Sequence, residues 1–281
     1  MKKKVIVATD LDGTLLNSNH KLSDKDQRTL LGLKEEGHLR VVATGRILYS
    51  AMQVLAEDFP IDYLVFSSGG GILDWHTKKL IHSNSMEQDD LIRSLDLLES
   101  MGLNFMVHGP VPENHFCLCK SGENFDLKDH NHRVENYRAF HTPWSERENF
   151  LSEWGAQASV IVSSVPTQVG AEIYGRLKDK LPELHVVRAT SPLDSNYNWI
   201  EILPTGVSKA SGCQWLKEYL GATNRKTIAV GNDYNDIDML EWADTSYVVS
   251  NTPEELKSRY HVVVSNDESG FSEAIKIAIN D

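Results

Sequence analysis

Short apolar runs alternate with amphipathic stretches at both ends of the chain. Runs such as Val5–Ala8 and Tyr63–Phe66 are typical of strands buried in a parallel sheet. The stretch between them begins with the N-cap residue Ser23 and ends at Gly37, which predicts a helix. This alternation indicates an α/β fold built on a doubly wound parallel sheet. The predicted strands are Val5–Ala8, Leu39–Ala43, Tyr63–Phe66, Trp199–Leu203, Thr227–Val230, Tyr247–Val249 and His261–Val264.

The middle of the chain follows a different pattern, in which helices and strands no longer alternate. Its helices are predicted over Glu87–Met101 and Thr167–Leu181, and a polar, histidine-rich stretch lies between them. We therefore predict two domains: a core made of residues 1–81 and 191–281, and an inserted α+β domain made of residues 82–190. The predicted strands of the insert are Phe105–His108, Phe116–Lys120, Val160–Ser164 and His185–Val187.

Composition limits the classes of function. Hydrophobic residues make up 41% and charged residues 24% of the 281 residues, as in an ordinary globular protein. No apolar run approaches the roughly 18 residues of a membrane span. The basic start Met1–Lys4 is followed by an apolar stretch that ends at Asp10, too short for a signal peptide, so we expect a cytoplasmic protein without a membrane partner.

The chain carries 28 Lys and Arg against 40 Asp and Glu, a formal net charge of −12. Such a charge repels nucleic acid, which we exclude as a partner. An anionic substrate must therefore be held by local positive groups. The pair Cys117 and Cys119 is predicted to leave one face of a strand as reduced thiols, with a metal or redox pair as the alternative.

Polar residues follow the carboxyl ends of the predicted core strands, where open parallel sheets bind their ligands. Asp10 and Asp12 follow the first strand, and Thr44 and Arg46 follow the second. Lys209 begins a predicted helix, and the acidic cluster Gly231–Asp236 follows a later strand. Taken singly, the segment with Asp10 and Asp12 is also typical of a turn, and Thr44–Arg46 of a strand end. Lys209 alone is typical of a solvated charge, and Gly231–Asp236 of a helix cap. Together, these carboxylates indicate a Mg²⁺ site.

The same residues fit phosphoryl transfer. Asp10 can attack phosphorus as a carboxylate nucleophile and form an aspartyl-phosphate. Asp12 can protonate the leaving oxygen and later deprotonate water. Thr44 and nearby backbone N–H groups can bind the phosphoryl oxygens, while Lys209 and Mg²⁺ offset charge in the transition state.

These residues resemble the motifs of the haloacid dehalogenase superfamily of aspartate-nucleophile phosphatases. The segment Asp10–Leu15 is similar to the first motif, Thr44–Arg46 to the second, Lys209 to the third and Gly231–Asp236 to the fourth. The large insert resembles the C2 cap of the Cof-type (subfamily IIB) sugar phosphatases. The resemblance implies a Rossmann-like core, Mg²⁺ as cofactor and a small phosphorylated metabolite as substrate.

The resemblance also implies individual roles. Asp10, Asp12, Thr44 and Lys209 are the expected catalytic residues, and Asp12 is expected to offer its main-chain carbonyl to the metal. Substrate contacts are expected from Arg46, Gly45 and Asn235. The expected metal ligands are Asp10, Asp12, Asn232, Asp233 and Asp236.

Two positions depart from the family pattern. Asn232 stands where the fourth motif carries its first Asp, so an uncharged amide replaces a carboxylate, and Ser67–Gly70 stands where the family has Asn-Gly. The resulting prediction is a Mg²⁺-dependent phosphatase of a small phosphate monoester, such as a sugar phosphate. A phosphomutase or phosphotransferase is the first alternative. The second, suggested by Asn232, is a non-catalytic protein that binds a phosphorylated ligand.

Overall fold

The computed structural model describes residues 4–154, 159–191 and 193–280, which divide into two compact units. The first unit contains the chain up to Arg46, residues 50–82 and the described residues from Ser208 onward. The second unit contains Ile47–Tyr49 and Ser83–Val207. An insertion within one α/β unit, as the sequence pattern predicts, accounts for this division.

The strands and helices are numbered in chain order. The strands are β1 (Val5–Thr9), β2 (Leu39–Ala43), β3 (Tyr63–Phe66), β4 (Gly71–Asp74), β5 (Lys79–Ser83), β6 (Asn104–His108), β7 (Cys117–Lys120), β8 (His141–Pro143), β9 (Ser159–Pro166), β10 (His185–Thr190), β11 (Tyr197–Leu203), β12 (Lys226–Gly231), β13 (Thr245–Val249) and β14 (His261–Val263). The α-helices are α1 (Asp24–Glu35), α2 (Leu48–Val54), α3 (Gln88–Ser100), α4 (Lys128–Asn136), α5 (Arg147–Trp154), α6 (Thr167–Lys180), α7 (Lys209–Tyr219), α8 (Ile237–Trp242), α9 (Glu254–Lys257) and α10 (Gly270–Asn280).

The first unit is built on an eight-stranded sheet in the order β14-β13-β12-β1-β2-β3-β4-β5. The six strands from β14 to β3 are parallel, which confirms the predicted doubly wound α/β fold. Strand β4 returns antiparallel to β3, and β5 lies beyond it at the edge; neither strand was predicted from the sequence. The carboxyl ends of β1, β2 and β12 therefore lie side by side.

Apolar side chains on the parallel strands pack against α7 and α8 and fix these helices to one face of the sheet. The cluster joins residues such as Ala8 and Ala229 to Leu216 and Met239. On α1, Ser23 accepts the N–H of Asp26 as N-cap, while Leu30 and Leu33 are buried. Helix α1 contacts α10. Among the described residues, no helix is both long enough and apolar enough to cross a membrane.

The second unit contains a six-stranded sheet in the order β10-β11-β9-β6-β7-β8. Strand β11 pairs antiparallel with β9 and β10, so the placement of Trp199–Leu203 in the core sheet was wrong. The boundary accordingly lies at 207 and 208 rather than at 190 and 191. A buried strand has the same apolar pattern in either sheet, and only its hydrogen-bonding partners distinguish the two.

The two faces of this second sheet differ in chemistry. One face is apolar and packs with residues of α3 and α6, for example Phe105 and Val162 with Leu95 and Leu177. The opposite face is lined by polar side chains and is contacted by α4. Part of the histidine-rich stretch forms α4, and its His130 is buried.

The pair Cys117 and Cys119 is on the polar face of the second sheet, with the sulfur atoms 4.0 Å apart. Both cysteines are free, in agreement with the predicted reduced thiols.

Candidate active site

Asp10 is the first residue after β1 and is buried, with only 5% of its surface exposed. Its N–H donates to the carbonyl of Val230, the β12 residue paired in register with Thr9. This hydrogen bond continues the parallel ladder for one residue beyond β1. The backbone of Asp10 is thus fixed directly beside the end of β12.

Lys209 reaches this point from the first turn of α7. Its ammonium group lies 2.6 Å from Oδ1 of Asp10 and 2.6 Å from Oδ1 of Asp236, and the side chain is 1% exposed. A cation at a helix N-terminus opposes the helix dipole, so the position does not favour the helix itself. The two carboxylates compensate the buried charge and raise the pKa of Lys209 despite its burial.

The ammonium group of Lys209 forms ion pairs with two buried carboxylates, those of Asp10 and Asp236. Burial, followed by the charge of Asp236, raises the pKa of Asp10 to about 7, although Lys209 acts in the opposite direction. The pKa of Asp10 is therefore raised because the ion pair does not fully offset its desolvation, whereas the pKa of Lys209 is raised because the two carboxylates outweigh its desolvation. Additional positive charge beside Asp10 favours its carboxylate form.

Two glycines allow the chain segments around the site to approach closely. A Cβ on Gly69, whose φ is +104°, would lie 2.0 Å from the carbonyl oxygen of Ser208, the N-cap of α7. A Cβ on Gly13, whose φ is +72°, would lie 2.7 Å from the amide of Asn232. The first glycine lets α7 begin next to the β3 turn, and the second brings the Asn232 loop against the loop after β1.

The Asn232 amide lies among oxygen atoms of the β1 loop. One of its terminal atoms is 3.1 Å from the carbonyl oxygen of Asp12, 3.3 Å from Oδ2 of Asp10 and 2.9 Å from Oγ1 of Thr14. If this atom is nitrogen, it donates to these acceptors. If it is oxygen, unprotonated oxygens of Asp10, Asp12 and Asn232 face one another, and a cation between them relieves their repulsion.

The spacing of these oxygens suits Mg²⁺. Octahedral Mg²⁺ with oxygen ligands at about 2.0–2.1 Å places neighbouring ligands about 2.9 Å apart. The distances of 3.1 and 3.3 Å from the Asn232 atom are close to that value. In the part of the chain that the structure describes, no group of three His, Cys, Asp or Glu side chains is arranged to hold a metal. The donors here are instead one carboxylate, one carbonyl and one amide.

Asp233 and Asp236, also predicted as metal ligands, have other partners. Oδ2 of Asp236 accepts the N–H groups of Asn232 at 2.8 Å and of Asp233 at 3.0 Å, while its Oδ1 accepts from Lys209. Oδ1 of Asp233 accepts the N–H of Tyr234 as the cap of a short 3₁₀ helix. Asp236 therefore shapes the loop and positions Lys209, because donors already occupy both of its oxygens.

Arg46 forms a two-pronged ion pair with Asp12. Nε lies 2.6 Å from Oδ2 and Nη2 lies 2.7 Å from Oδ1, with both side chains partly exposed. His20 lies 3.4 Å from the same carboxylate, a contact that the sequence did not indicate. The planar guanidinium fixes the orientation of the Asp12 carboxylate.

Comparison with known proteins places this geometry in a family. Residues 7–275 match the family of haloacid dehalogenase-like hydrolases. The chain belongs to this family. The match covers nearly the whole chain and confirms the family that the sequence motifs indicated.

Relatives of this haloacid dehalogenase-like hydrolase include two phosphatases of known name. Pyridoxal phosphate phosphatase YbhA of Escherichia coli is 25% identical over 278 residues, which cover 93% of each chain. 5-Amino-6-(5-phospho-D-ribitylamino)uracil phosphatase YitU of Bacillus subtilis is 23% identical over 292 residues, covering 98% of this chain and 97% of YitU.

A solved structure of a subclass IIB sugar phosphatase, BT4131, has the same fold. It superposes with a TM-score of 0.75 at 18% identity, and the match covers 98% of this hydrolase and 100% of that chain. At this identity the likeness concerns the fold alone.

The remaining predicted site residues of this hydrolase lie in the same first unit. Thr44 is buried at the end of β2, donates its N–H to Val65 and accepts the N–H of Arg46 on Oγ1. Gly45 lies between Thr44 and Arg46, and Asn235 is half-buried in the 3₁₀ helix after β12. Of the predicted site residues, Lys209 and Asn232 lie within hydrogen-bonding reach of Asp10. The structure shows no such contact for Gly45 or Asn235.

Sequence reasoning missed one support of the Asn232 loop and one support of the loop after β1. The hydroxyl of Thr252 donates to the carbonyl of Asn232 at 2.6 Å, and Nδ2 of Asn251 donates to the carbonyl of Gly13 at 2.8 Å. Both residues come shortly after β13, another parallel strand of the core sheet. The strand-end rule that identified Asp10 and Thr44 also points to them.

Proposed function

We propose that this protein is a phosphatase that hydrolyses a small phosphate monoester through an aspartyl-phosphate on Asp10. The observation that carries the proposal is the position of Asp10: the Lys209 ammonium lies 2.6 Å from its Oδ1, and the Asn232 amide, which is also 3.1 Å from the Asp12 carbonyl oxygen, lies 3.3 Å from its Oδ2. A buried carboxylate with a cation on one oxygen and an oxygen-lined position on the other suits nucleophilic attack on an anionic phosphoryl group.

In the first step, a carboxylate oxygen of Asp10 forms a bond to phosphorus while the bond from phosphorus to the ester oxygen breaks. Asp12 donates a proton to the departing alkoxide, which leaves as an alcohol. Lys209 and the hydroxyl of Thr44 hold the phosphoryl oxygens. In the second step, Asp12 takes a proton from water, the water oxygen bonds to phosphorus, and the Asp10 oxygen leaves with its electron pair.

Asp10, the main-chain carbonyl of Asp12 and the side-chain oxygen of Asn232 are the residues that would hold Mg²⁺. When bound, Mg²⁺ offsets the negative charge of the phosphoryl group and of the surrounding carboxylates. The set contains one carboxylate, because Asn232 replaces the family's Asp. We therefore expect a weaker Mg²⁺ site than one built with two carboxylates.

The relatives support a small phosphorylated metabolite as substrate. Their names include phosphatases of pyridoxal phosphate, of a phosphoribitylamino-uracil and of sugar phosphates. We propose a sugar phosphate or a phosphomonoester of similar size. With a net charge of −12, the protein depends on local cations such as Lys209 to hold it.

A panel of phosphate monoesters, assayed for phosphate release with and without Mg²⁺, tests the proposal. The wild type and Asp58→Asn, which changes an exposed carboxylate, should release phosphate only with Mg²⁺, whereas Asp10→Asn should release none. An added alcohol acceptor separates hydrolysis from phosphoryl transfer. Phosphate appearing on the acceptor instead of in solution would support the phosphotransferase. No turnover with any ester would support the non-catalytic alternative.

A further inference from the structure

Arg133 is a buried cation in the second unit, far along the chain from every motif used above. It lies on α4, with 4% of its surface exposed, and extends over the polar face of the second sheet. Burying a guanidinium group costs several kcal/mol unless an anion or a full set of acceptors compensates the charge. The groups around Arg133 therefore show whether its buried charge is compensated.

The hydrogen bond of Arg133 to the protein is made with a neutral group. Nη2 lies 3.0 Å from Nε2 of His108. Nδ1 of His108 lies 2.7 Å from the carbonyl of Asn114 and donates to it, so Nε2 is the acceptor. Burial and the nearby Arg133 lower the pKa of His108 to about 3, so this imidazole brings no positive charge to the cluster.

Aromatic rings support the flat faces of the guanidinium. Its central carbon lies 4.0 Å from the ring centre of Trp199 and 5.5 Å from that of Tyr137. This stacking orients the group but compensates only a small part of a buried charge. The N–H groups at the edge of the guanidinium need hydrogen-bond acceptors, which the two rings do not provide.

Asp129, a buried carboxylate on the same helix, has hydrogen-bond partners other than Arg133. Asp129, one turn before Arg133, accepts the hydroxyl of Ser191, the N–H of Ser164 and the indole N–H of Trp199. Among the residues described, no carboxylate lies within 4.0 Å of Arg133, and its buried Nε has no hydrogen-bond partner. The guanidinium thus has one buried donor without an acceptor and, among the described residues, no carboxylate within ion-pairing distance.

We infer that Arg133, oriented by His108 and Trp199, forms a binding site in the second unit for an anionic oxygen group, a carboxylate or a phosphate. Two N–H groups of a guanidinium match two oxygens of either anion. A bound anion supplies both the acceptor that Nε lacks and the counter-charge that the buried guanidinium lacks. The binding itself does not depend on the proposed hydrolysis.

Calorimetric titration of the full chain with malonate tests the site, because this dicarboxylate contains no phosphorus. The wild type should bind malonate saturably, and Arg133→Met should weaken binding by about tenfold or more. Arg138→Met removes an exposed arginine near the end of the same helix and should bind like the wild type. Equal affinity in Arg133→Met, or no saturable binding to the wild type, would overturn the inference.

A second measurement needs no Arg133 variant and holds even if that variant fails to fold. The indole N–H of Trp199, identified by its loss in Trp199→Phe, should shift in the NMR spectrum of the wild type as malonate is added. This group donates to Asp129 while its ring lies against Arg133, so it senses the guanidinium directly. An unchanged Trp199 signal at saturating malonate would also overturn the inference.

The same titration with inorganic phosphate distinguishes the two anions. Loss of malonate binding in Arg133→Met with phosphate binding unchanged identifies a carboxylate as the ligand, whereas loss of both supports a site for either anion. If the binding of neither anion depends on Arg133, the inference is overturned.

Discussion

Arg46 donates two hydrogen bonds, of 2.6 and 2.7 Å, to the carboxylate of Asp12. Because a lysine offers one point charge, Arg46→Lys should leave Asp12 free to rotate. We expect kcat to fall by about 10–100-fold through loss of orientation, measured by steady-state phosphate release. Arg259→Lys, in an exposed pair with Glu241, is the matched control. A change confined to KM would instead mark Arg46 as a substrate contact that does not act on Asp12.

Asp10→Asn should abolish turnover and leave the fold intact. The substitution removes a buried carboxylate whose ionised form is disfavoured by burial and by Asp236, while Lys209 keeps Asp236 as its partner. The melting temperature should therefore be unchanged or higher, measured by circular dichroism together with an activity assay. Full activity of Asp10→Asn would disprove the assignment of the nucleophile.

Asn232→Asp should tighten Mg²⁺ binding by about tenfold or more, since it adds a formal negative charge to a site with one carboxylate. Isothermal titration calorimetry measures this without any substrate. Asn224→Asp introduces the same charge at an exposed position before β12 and should not change the affinity. Unchanged or weaker Mg²⁺ binding by Asn232→Asp would show that Asn232 is not a ligand.

His108 should make the protein sensitive to acid. Its pKa is lowered from 6.5 to about 3 in the fold, so its contribution to stability is complete above pH 6.5 and is lost as pH falls towards 3. At pH 4.5 the loss of this contribution should be about 2–3 kcal/mol, from 1.36 kcal/mol per pH unit. Because Asp10, whose pKa is raised to about 7, gains stability over the same range, the His108 contribution is measured as the difference between wild type and His108→Gln in urea unfolding at pH 7 and 4.5.

His108→Gln keeps an acceptor for Arg133 and does not titrate, so its stability should change less between pH 7 and 4.5. His132→Gln, an exposed histidine on α4, should retain the full wild-type loss. An equal loss in all three proteins would mean that the acid sensitivity arises elsewhere.

Local sequence patterns determined most elements and the order of the catalytic motifs. Strands β2 and β3 have the predicted bounds, because an apolar run is recorded directly in neighbouring residues. The carboxyl-end rule also identified Asp10 and Thr44, because parallel strands bring their ends to one edge whatever the loops contain.

Only the tertiary structure decided where strand β11 pairs, what α4 buries and which oxygens of the acidic loop are free. Strand β11 is apolar enough for either sheet, and α4 buries Asp129, His130 and Arg133, so it has no apolar stripe for a sequence pattern to detect. Asp236 was grouped with the metal ligands by its chemistry, yet both its oxygens accept N–H donors. The pairing of β11, the polar contacts of α4 and the Lys209 partner of Asp236 all depend on residues distant along the chain. Local periodicity does not indicate such partners.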